Sequence, residues 1–126
     1  MSVIIRDDGF HDEDYLGKAV IDIAHDTKPE SISGDFTGVD LVRIGFPGFG
    51  DGRGFTLARH VRAKGYEGRL RATGPLIADQ YAMARRSGFD EVEIPDDLAA
   101  RQPANQWIFR ADWQEHDYQS RLKSRA

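Results

Sequence analysis

Cysteine is absent from the sequence. The chain therefore supplies no thiolate for a disulfide, a zinc site or an iron–sulfur cluster, and no cysteine nucleophile. No apolar run approaches the ~20 residues that a membrane-spanning helix needs. The first residues, MSVIIRDDGF, also lack the basic and apolar regions of a secretory signal. We therefore expect a cytoplasmic protein with no membrane partner.

Several chemical signatures are missing as well. The four histidines are scattered without metal-ligand spacing, so no metal site is expected. No serine or threonine stands in the Gly-x-Ser-x-Gly pattern of serine hydrolases. The net charge is −4 and no nucleic-acid-binding motif is present, which argues against a nucleic acid partner. No cofactor-binding motif is evident, which leaves a non-covalently bound flavin or nicotinamide as an open alternative.

The charge that is present is segregated along the chain. Residues 1–38 hold nine acids against three bases, residues 39–88 hold four acids against nine bases, and residues 89–126 hold eight acids against five bases. A basic middle segment can attract an anionic ligand or partner. Alternatively, the acidic arms fold over the middle segment and neutralise it.

The hydrophobic pattern predicts a single α/β domain over residues 1–126. Strands are predicted at 3–5, 19–23, 39–46, 70–73 and 91–94, and helices at 55–64, 75–88 and 96–102, with a short helix after Pro29. The acidic stretch DDGFHDEDY is predicted to be a loop. Short connections between alternating strands and helices indicate right-handed βαβ units. The expected fold is a small parallel βαβαβ core, similar to a fragment of a (β/α) barrel, with extra N-terminal strands.

Strand alternation assigns a role to each face of this core. The helix-covered face is predicted to carry Val42, Ile44, Phe46, Leu70, Ala72, Val92 and Ile94. The opposite face is predicted to carry Arg43, Arg69, Arg71, Glu91 and Glu93. That charged face is either a ladder of ion pairs, partly covered by the N-terminal strands or a second subunit, or a site for an anion or partner. The later aromatic residues, Trp107, Phe109 and Trp113, are expected to close the core or to bury a homodimer seam.

The most unusual segment is FPGFGDGRG, residues 46–54, which we call the glycine loop. It follows a predicted parallel strand and precedes a helix, where α/β proteins bind ligands. Arg53 could clamp an oxyanion, with Asp51 holding Arg53 or capping the helix. The main-chain N–H groups that could point at an anion are those of Gly52, Gly54 and Phe55. The loop matches neither a P-loop nor a dinucleotide fingerprint, and a tight turn is the alternative.

A family resemblance adds to these observations. The stretches FPGFGDGRGFTLAR, GYEGRLRATG, ADQYAMARRSGFD and VEI resemble, in order, the bacterial family called domain of unknown function 934. The resemblance covers residues 39–94 and leaves 1–38 and 95–126 as flanking arms, with a weak likeness at Tyr118–Gln119. The residues that it marks as important are Asp51, Gly52, Arg53, Gly54, Arg71, Gly74, Asp79, Gln80, Arg86, Gly88 and Asp90.

This family is described as oxidoreductases of sulfite reduction. Sulfite is normally reduced at sirohaem and a cysteine-held iron–sulfur cluster, so a chain without cysteine is not the reductase by itself. The resemblance implies an accessory protein or oxidoreductase component that binds sulfite reductase or its oxyanion substrate. Alternatives are an enzyme that borrows a flavin or nicotinamide, and a generic phosphoanion-binding module. The candidate catalytic residues are Asp51, Arg53, Asp79 and Gln80, and the candidate ligand-binding residues are Gly52, Arg53, Gly54, Phe55 and Arg71.

Overall fold

The structure, a computed structural model, describes residues 2–14 and 19–109. Six strands form one sheet in the order β2-β1-β6-β5-β4-β3. They are β1 (Ser2–Arg6), β2 (Gly9–His11), β3 (Val20–Ile23), β4 (Leu41–Gly45), β5 (Arg69–Thr73) and β6 (Glu91–Pro95). Strands β3 to β6 are parallel, while β1 runs antiparallel to both β6 and β2. The predicted α/β fold, a parallel core with additional N-terminal strands, is confirmed.

Four helices contribute to one hydrophobic cluster on this sheet. They are α1 (Arg53–Ala63), α2 (Tyr81–Ser87), α3 (Asp96–Arg101) and α4 (Ala104–Phe109). Their buried members are Leu57, Ala58, Val61, Tyr81, Ala84, Ala99 and Trp107. All seven strand and loop residues predicted for the helix-covered face belong to the same cluster. In the part of the chain that the structure describes, no helix is long and apolar enough to cross a membrane.

The acidic stretch predicted to be a loop contains strand β2, and that prediction is wrong. Strand β2 is three residues long and pairs with β1 through a tight turn, with Ile5 opposite Phe10 and Arg6 opposite Gly9. Phe10 is its one large apolar side chain, so the strand shows no alternating pattern. It forms because β1 offers an edge for backbone pairing, which a local pattern does not reveal.

The second predicted helix also begins later than its proline suggests. After Gly74, whose φ of +139° ends the strand, Ile77 is still extended. A 3-10 turn over Ala78–Gln80 follows, and α2 begins only at Tyr81. The side-chain oxygen of Gln80 accepts the Ile77 N–H at 3.1 Å, and this bond fixes the start of the 3-10 turn directly after Ile77. The predicted helix end is confirmed, because Gly88 caps α2 with a φ of +115°.

The C-terminal aromatic residues divide between core and surface. Trp107 is fully buried, packs edge-on against Tyr81 at a ring distance of 6.0 Å, and donates its indole N–H to Gln102 O at 3.1 Å. Phe109 is 71% exposed. The expected core role therefore holds for Trp107. Trp113 and the Tyr118–Gln119 pair lie outside the described residues.

Candidate functional site

Three loops meet at the carboxyl ends of the parallel strands. The glycine loop follows β4, a segment with the 3-10 turn follows β5, and residues 24–29 follow β3. Because neighbouring parallel strands end at the same sheet edge, this is where α/β proteins place ligands. Of the predicted site residues, the structure brings Asp51, Arg53 and Gln80 together at this edge.

The two ends of the glycine loop are fixed by packing around Phe46, which is 4% exposed. A Cβ on Gly54 would lie 2.4 Å from the Phe46 ring. A Cβ on Gly74 would lie 2.2 Å from the Phe46 main-chain oxygen. The Phe46 ring also packs against Phe55 at 5.0 Å. Gly54 and Gly74 are therefore required by close packing, whatever else they do.

The Asp51 carboxylate holds Arg53, which is one of the two roles proposed for it from the sequence. Oδ1 accepts the Arg53 main-chain N–H at 2.9 Å, and Oδ2 accepts the guanidinium Nε–H at 3.0 Å. These bonds lower the pKa of Asp51 to about 2. The Arg53 side chain is 58% exposed, so it faces solvent while its bonds to Asp51 hold it in place. The Phe55 N–H, expected to face an anion, is engaged inside the loop with Gly52 O at 3.2 Å.

Gln80 joins two of the three loops. Its Nε2 donates to the main-chain oxygen of Phe49 at 2.6 Å, while its Oε1 accepts the Ile77 N–H at 3.1 Å. This leaves the Phe49 ring at the surface of the glycine loop, 61% exposed. Asp79, the neighbouring candidate, lines a separate pocket of about 290 Å³ beside α4. The side-chain amide of Gln80 is therefore used to position the glycine loop.

A second pocket, of about 200 Å³, lies beside Arg53, which is one of its lining residues. Its lining residues are His25, Asp26, Thr27, Pro29, Arg53, Thr56 and Leu57. Sequence reasoning missed the contribution of residues 25–29. The available signal was their position directly after a strand, but the sequence did not show that this strand is a parallel neighbour of β4.

The predicted ligand-binding residue Arg71 is fully buried and lies on the charged face of the sheet, opposite the helix-covered face. Its Nε donates to Glu91, its Nη1 to Glu93 at 3.0 Å and to Glu13, and its Nη2 to Glu13 at 2.9 Å. Burial alone would lower the pKa of this guanidinium, but the bonds to Glu13 and Glu91 raise it above its ordinary value. This face carries the ladder of ion pairs that was one of the two interpretations. Residues 13 and 14, rather than a strand, supply its additional carboxylates.

Among the described residues, no three potential metal-ligating side chains are grouped to hold a metal ion. Residues 20–126 of the sequence match the family model of a bacterial protein of unknown function, DUF934. The chain belongs to the DUF934 family. The match starts at β3, so the β1–β2 hairpin lies outside it. No curated protein and no solved structure gives a significant match.

Two further residues marked by the DUF934 resemblance have structural roles. The Asp90 carboxylate accepts the Leu70 N–H and the Arg62 guanidinium, each at 2.9 Å. Arg62 also donates to Gly88 O at 2.8 Å, and a Cβ on Gly88 would lie 2.7 Å from Arg62 Cγ. The DUF934 motif around Gly88 and Asp90 therefore fastens α1 and β5 to the start of β6. The exposed residues of the DUF934 signature include Gly52 and Arg53 of the glycine loop, together with Asp79, Arg86 and Asp90.

Proposed function

We propose that this DUF934 protein is a cytoplasmic accessory component of assimilatory sulfite reduction that docks onto the reductase through the glycine loop. The family resemblance supports the pathway. The structure of the glycine loop supports docking, because Phe49 and Arg53 are exposed while hydrogen bonds from Gln80 and to Asp51 hold the loop in place.

The observation that carries the docking proposal is the exposure of Phe49 beside Arg53. Phe49 is 61% exposed and Arg53 is 58% exposed, whereas most large apolar side chains of the described residues are buried. Aromatic and arginine side chains are enriched among the residues that dominate protein–protein binding energy. Gln80 and Asp51 hold this loop in place, which lowers the entropy lost when a partner binds.

Binding of a small oxyanion such as sulfite at Arg53 is the second candidate. The supporting observation is the pocket of about 200 Å³ beside Arg53, whose lining residues include Thr27 and Thr56, each with a hydroxyl group. A guanidinium with neighbouring hydroxyl donors is a common oxyanion site. The carboxylates of Asp26 and Asp51 oppose this function, so docking is the leading proposal.

A quantitative pull-down tests docking. Tagged wild type, Phe49→Ala and Arg53→Ala are compared in the native bacterium grown on sulfate, and sulfite reductase components are measured by mass spectrometry. Controls are Met83→Ala, a 42% exposed apolar residue of α2, and Arg101→Ala, a 73% exposed arginine of α3. Each loop variant should reduce recovery by about tenfold or more, since truncating a dominant interface residue costs about 2 kcal/mol.

The outcomes separate the two parts of this proposal. If no component of sulfur assimilation is enriched with wild type, the accessory role is wrong. If the reductase is enriched equally with wild type and both loop variants, the role stands and the docking surface lies elsewhere. Equal losses in the control variants would show that the loop has no special contribution.

A further inference from the structure

The pocket beside Arg53 is lined by groups of opposite charge. Asp26 comes from the segment after β3, and Arg53 comes from the first turn of α1. Asp26 makes no hydrogen bond or ion pair within the described ranges 2–14 and 19–109. The two groups still interact electrostatically: the bonds to Asp51 raise the pKa of the Arg53 guanidinium, and the charge of Asp26 raises it further. The pocket thus has both a cationic and an anionic recognition group.

The balance of charge argues against a simple anion as its ligand. The Arg53 guanidinium already donates through Nε and Nη2 to Asp51. Two carboxylates, those of Asp26 and Asp51, therefore interact with one guanidinium. A sulfite or phosphate ion would meet repulsion from Asp26 that the paired Arg53 offsets only in part. A ligand that carries its own ammonium group would be attracted by the Asp26 carboxylate instead of being repelled by it.

The volume of the pocket is suited to a small molecule. Its volume of about 200 Å³ corresponds to roughly seven waters at about 30 Å³ each, and so to a molecule of about seven heavy atoms. The hydroxyl groups of Thr27 and Thr56 and the imidazole of His25 provide hydrogen-bonding partners, while Leu57 and Pro29 give apolar contact. A small polar amino acid matches this size and lining.

We propose that this pocket binds a small zwitterionic α-amino acid, with its ammonium group at Asp26 and its carboxylate at Arg53. Both ionic contacts are open to solvent, since Asp26, Arg53 and Thr56 are exposed. Exposed ion pairs contribute little each, so we expect dissociation constants of about 1 mM rather than micromolar values. Occupancy of the pocket does not depend on docking to the reductase, although Arg53 takes part in both.

An NMR titration of the isotopically labelled full chain tests this proposal. The probes are glycine, L-alanine and L-serine, with two half-molecules of serine as controls: ethanolamine has no carboxylate, and 3-hydroxypropionate has no ammonium group. At least one amino acid should give saturable shifts of the amide signals of His25, Thr27 and Thr56. The half-molecules should bind about twofold to fivefold more weakly, because each loses one of two exposed ionic contacts.

Asp26→Asn is the deciding variant, and Glu67→Gln is its control. Both substitutions remove one exposed negative charge, but Glu67 follows α1 at the amino end of β5, away from the pocket. Asp26→Asn should weaken amino acid binding by about twofold to fivefold, and Glu67→Gln should leave it unchanged. The proposal is wrong if 3-hydroxypropionate or sulfate binds as tightly as serine, if ethanolamine does so, if Asp26→Asn has no effect, or if no amino acid shifts these signals.

Discussion

Replacement of Arg71 by methionine should destabilise the protein far more than the same replacement at Arg43. The two arginines stand opposite each other on neighbouring strands, and both pair with acids. Arg71 is fully buried and bonds to three carboxylates, whereas the Arg43 side chain is 36% exposed and pairs with the 65% exposed Asp22. Methionine keeps much of the apolar length of the side chain, so the comparison isolates the charge.

The magnitude follows from what each substitution leaves behind. Removing one partner of a buried ion pair costs about 3–5 kcal/mol, because the other charge stays desolvated. Glu91 is 2% exposed but keeps Arg69 at 2.9 Å and Arg6 at 3.2 Å, which favours the lower end, about 3 kcal/mol. The solvent-exposed Arg43–Asp22 pair should contribute less than about 1 kcal/mol.

Urea unfolding at neutral pH measures this difference. With a denaturant slope of about 2 kcal/mol per molar, Arg71→Met should lower the midpoint by about 1.5 M, and Arg43→Met by less than about 0.5 M. The double variant Arg71→Met with Glu91→Gln should lose less free energy of unfolding than the sum of the two single variants, since the stranded charge is removed. Equal midpoints for Arg71→Met and Arg43→Met would refute the reasoning, because Arg71 would then be as well hydrated as Arg43.

Three further perturbations test other features of the structure. Gly74→Ala should lower the free energy of unfolding by at least about 2 kcal/mol, because Gly74 has a positive φ and an added Cβ would collide with the backbone. Gly48→Ala, where an added Cβ meets no atom within 4 Å, should lower it by less than about 1 kcal/mol, and urea unfolding compares the two variants. Gln80→Ala removes the bond to Phe49 O and should speed amide hydrogen exchange in the glycine loop, while unchanged exchange would show that this bond does not fix the loop. The Arg6 guanidinium lowers the pKa of Asp14 to about 2, so the contribution of this pair to stability is present above pH ~4 and is lost as the pH falls toward ~2. Asp14→Asn should therefore make stability depend less on pH in this acid range, and an unchanged pH dependence would contradict this.

The parallel core was predictable because its signals are local. Alternation along β4, β5 and β6 separated the apolar face from the charged face, and Gly65 and Gly88 end α1 and α2 through positive φ angles that favour glycine. The pairing of Asp51 with Arg53 was equally accessible, since it joins residues two positions apart. These features depend on neighbours in the sequence and need no knowledge of the sheet order.

The remaining features depend on contacts between distant segments. Gln80 reaches Phe49 across 31 positions, and only the parallel pairing of β4 with β5 brings them together. Asp26 reaches the glycine loop because β3 lies beside β4. Arg71 was grouped with Arg53 as a ligand-binding residue because the family resemblance is linear, whereas strand alternation places Arg71 on the other face. A linear motif therefore combined residues of the surface with residues of the interior.

The position of β1 in the sheet has a consequence for synthesis of the chain. β1 is translated before the other described strands but pairs with β6, the last of them, with Ile5 opposite Val92. At a translation rate of about 5–20 residues per second, it waits roughly 5–20 s for that partner to be made. During this interval the core that covers Val3 and Ile5 is incomplete, and among the described residues β2 is the strand that can already pair with β1. The short hairpin therefore pairs one edge of β1, while the edge that pairs with β6 stays open until β6 has been made.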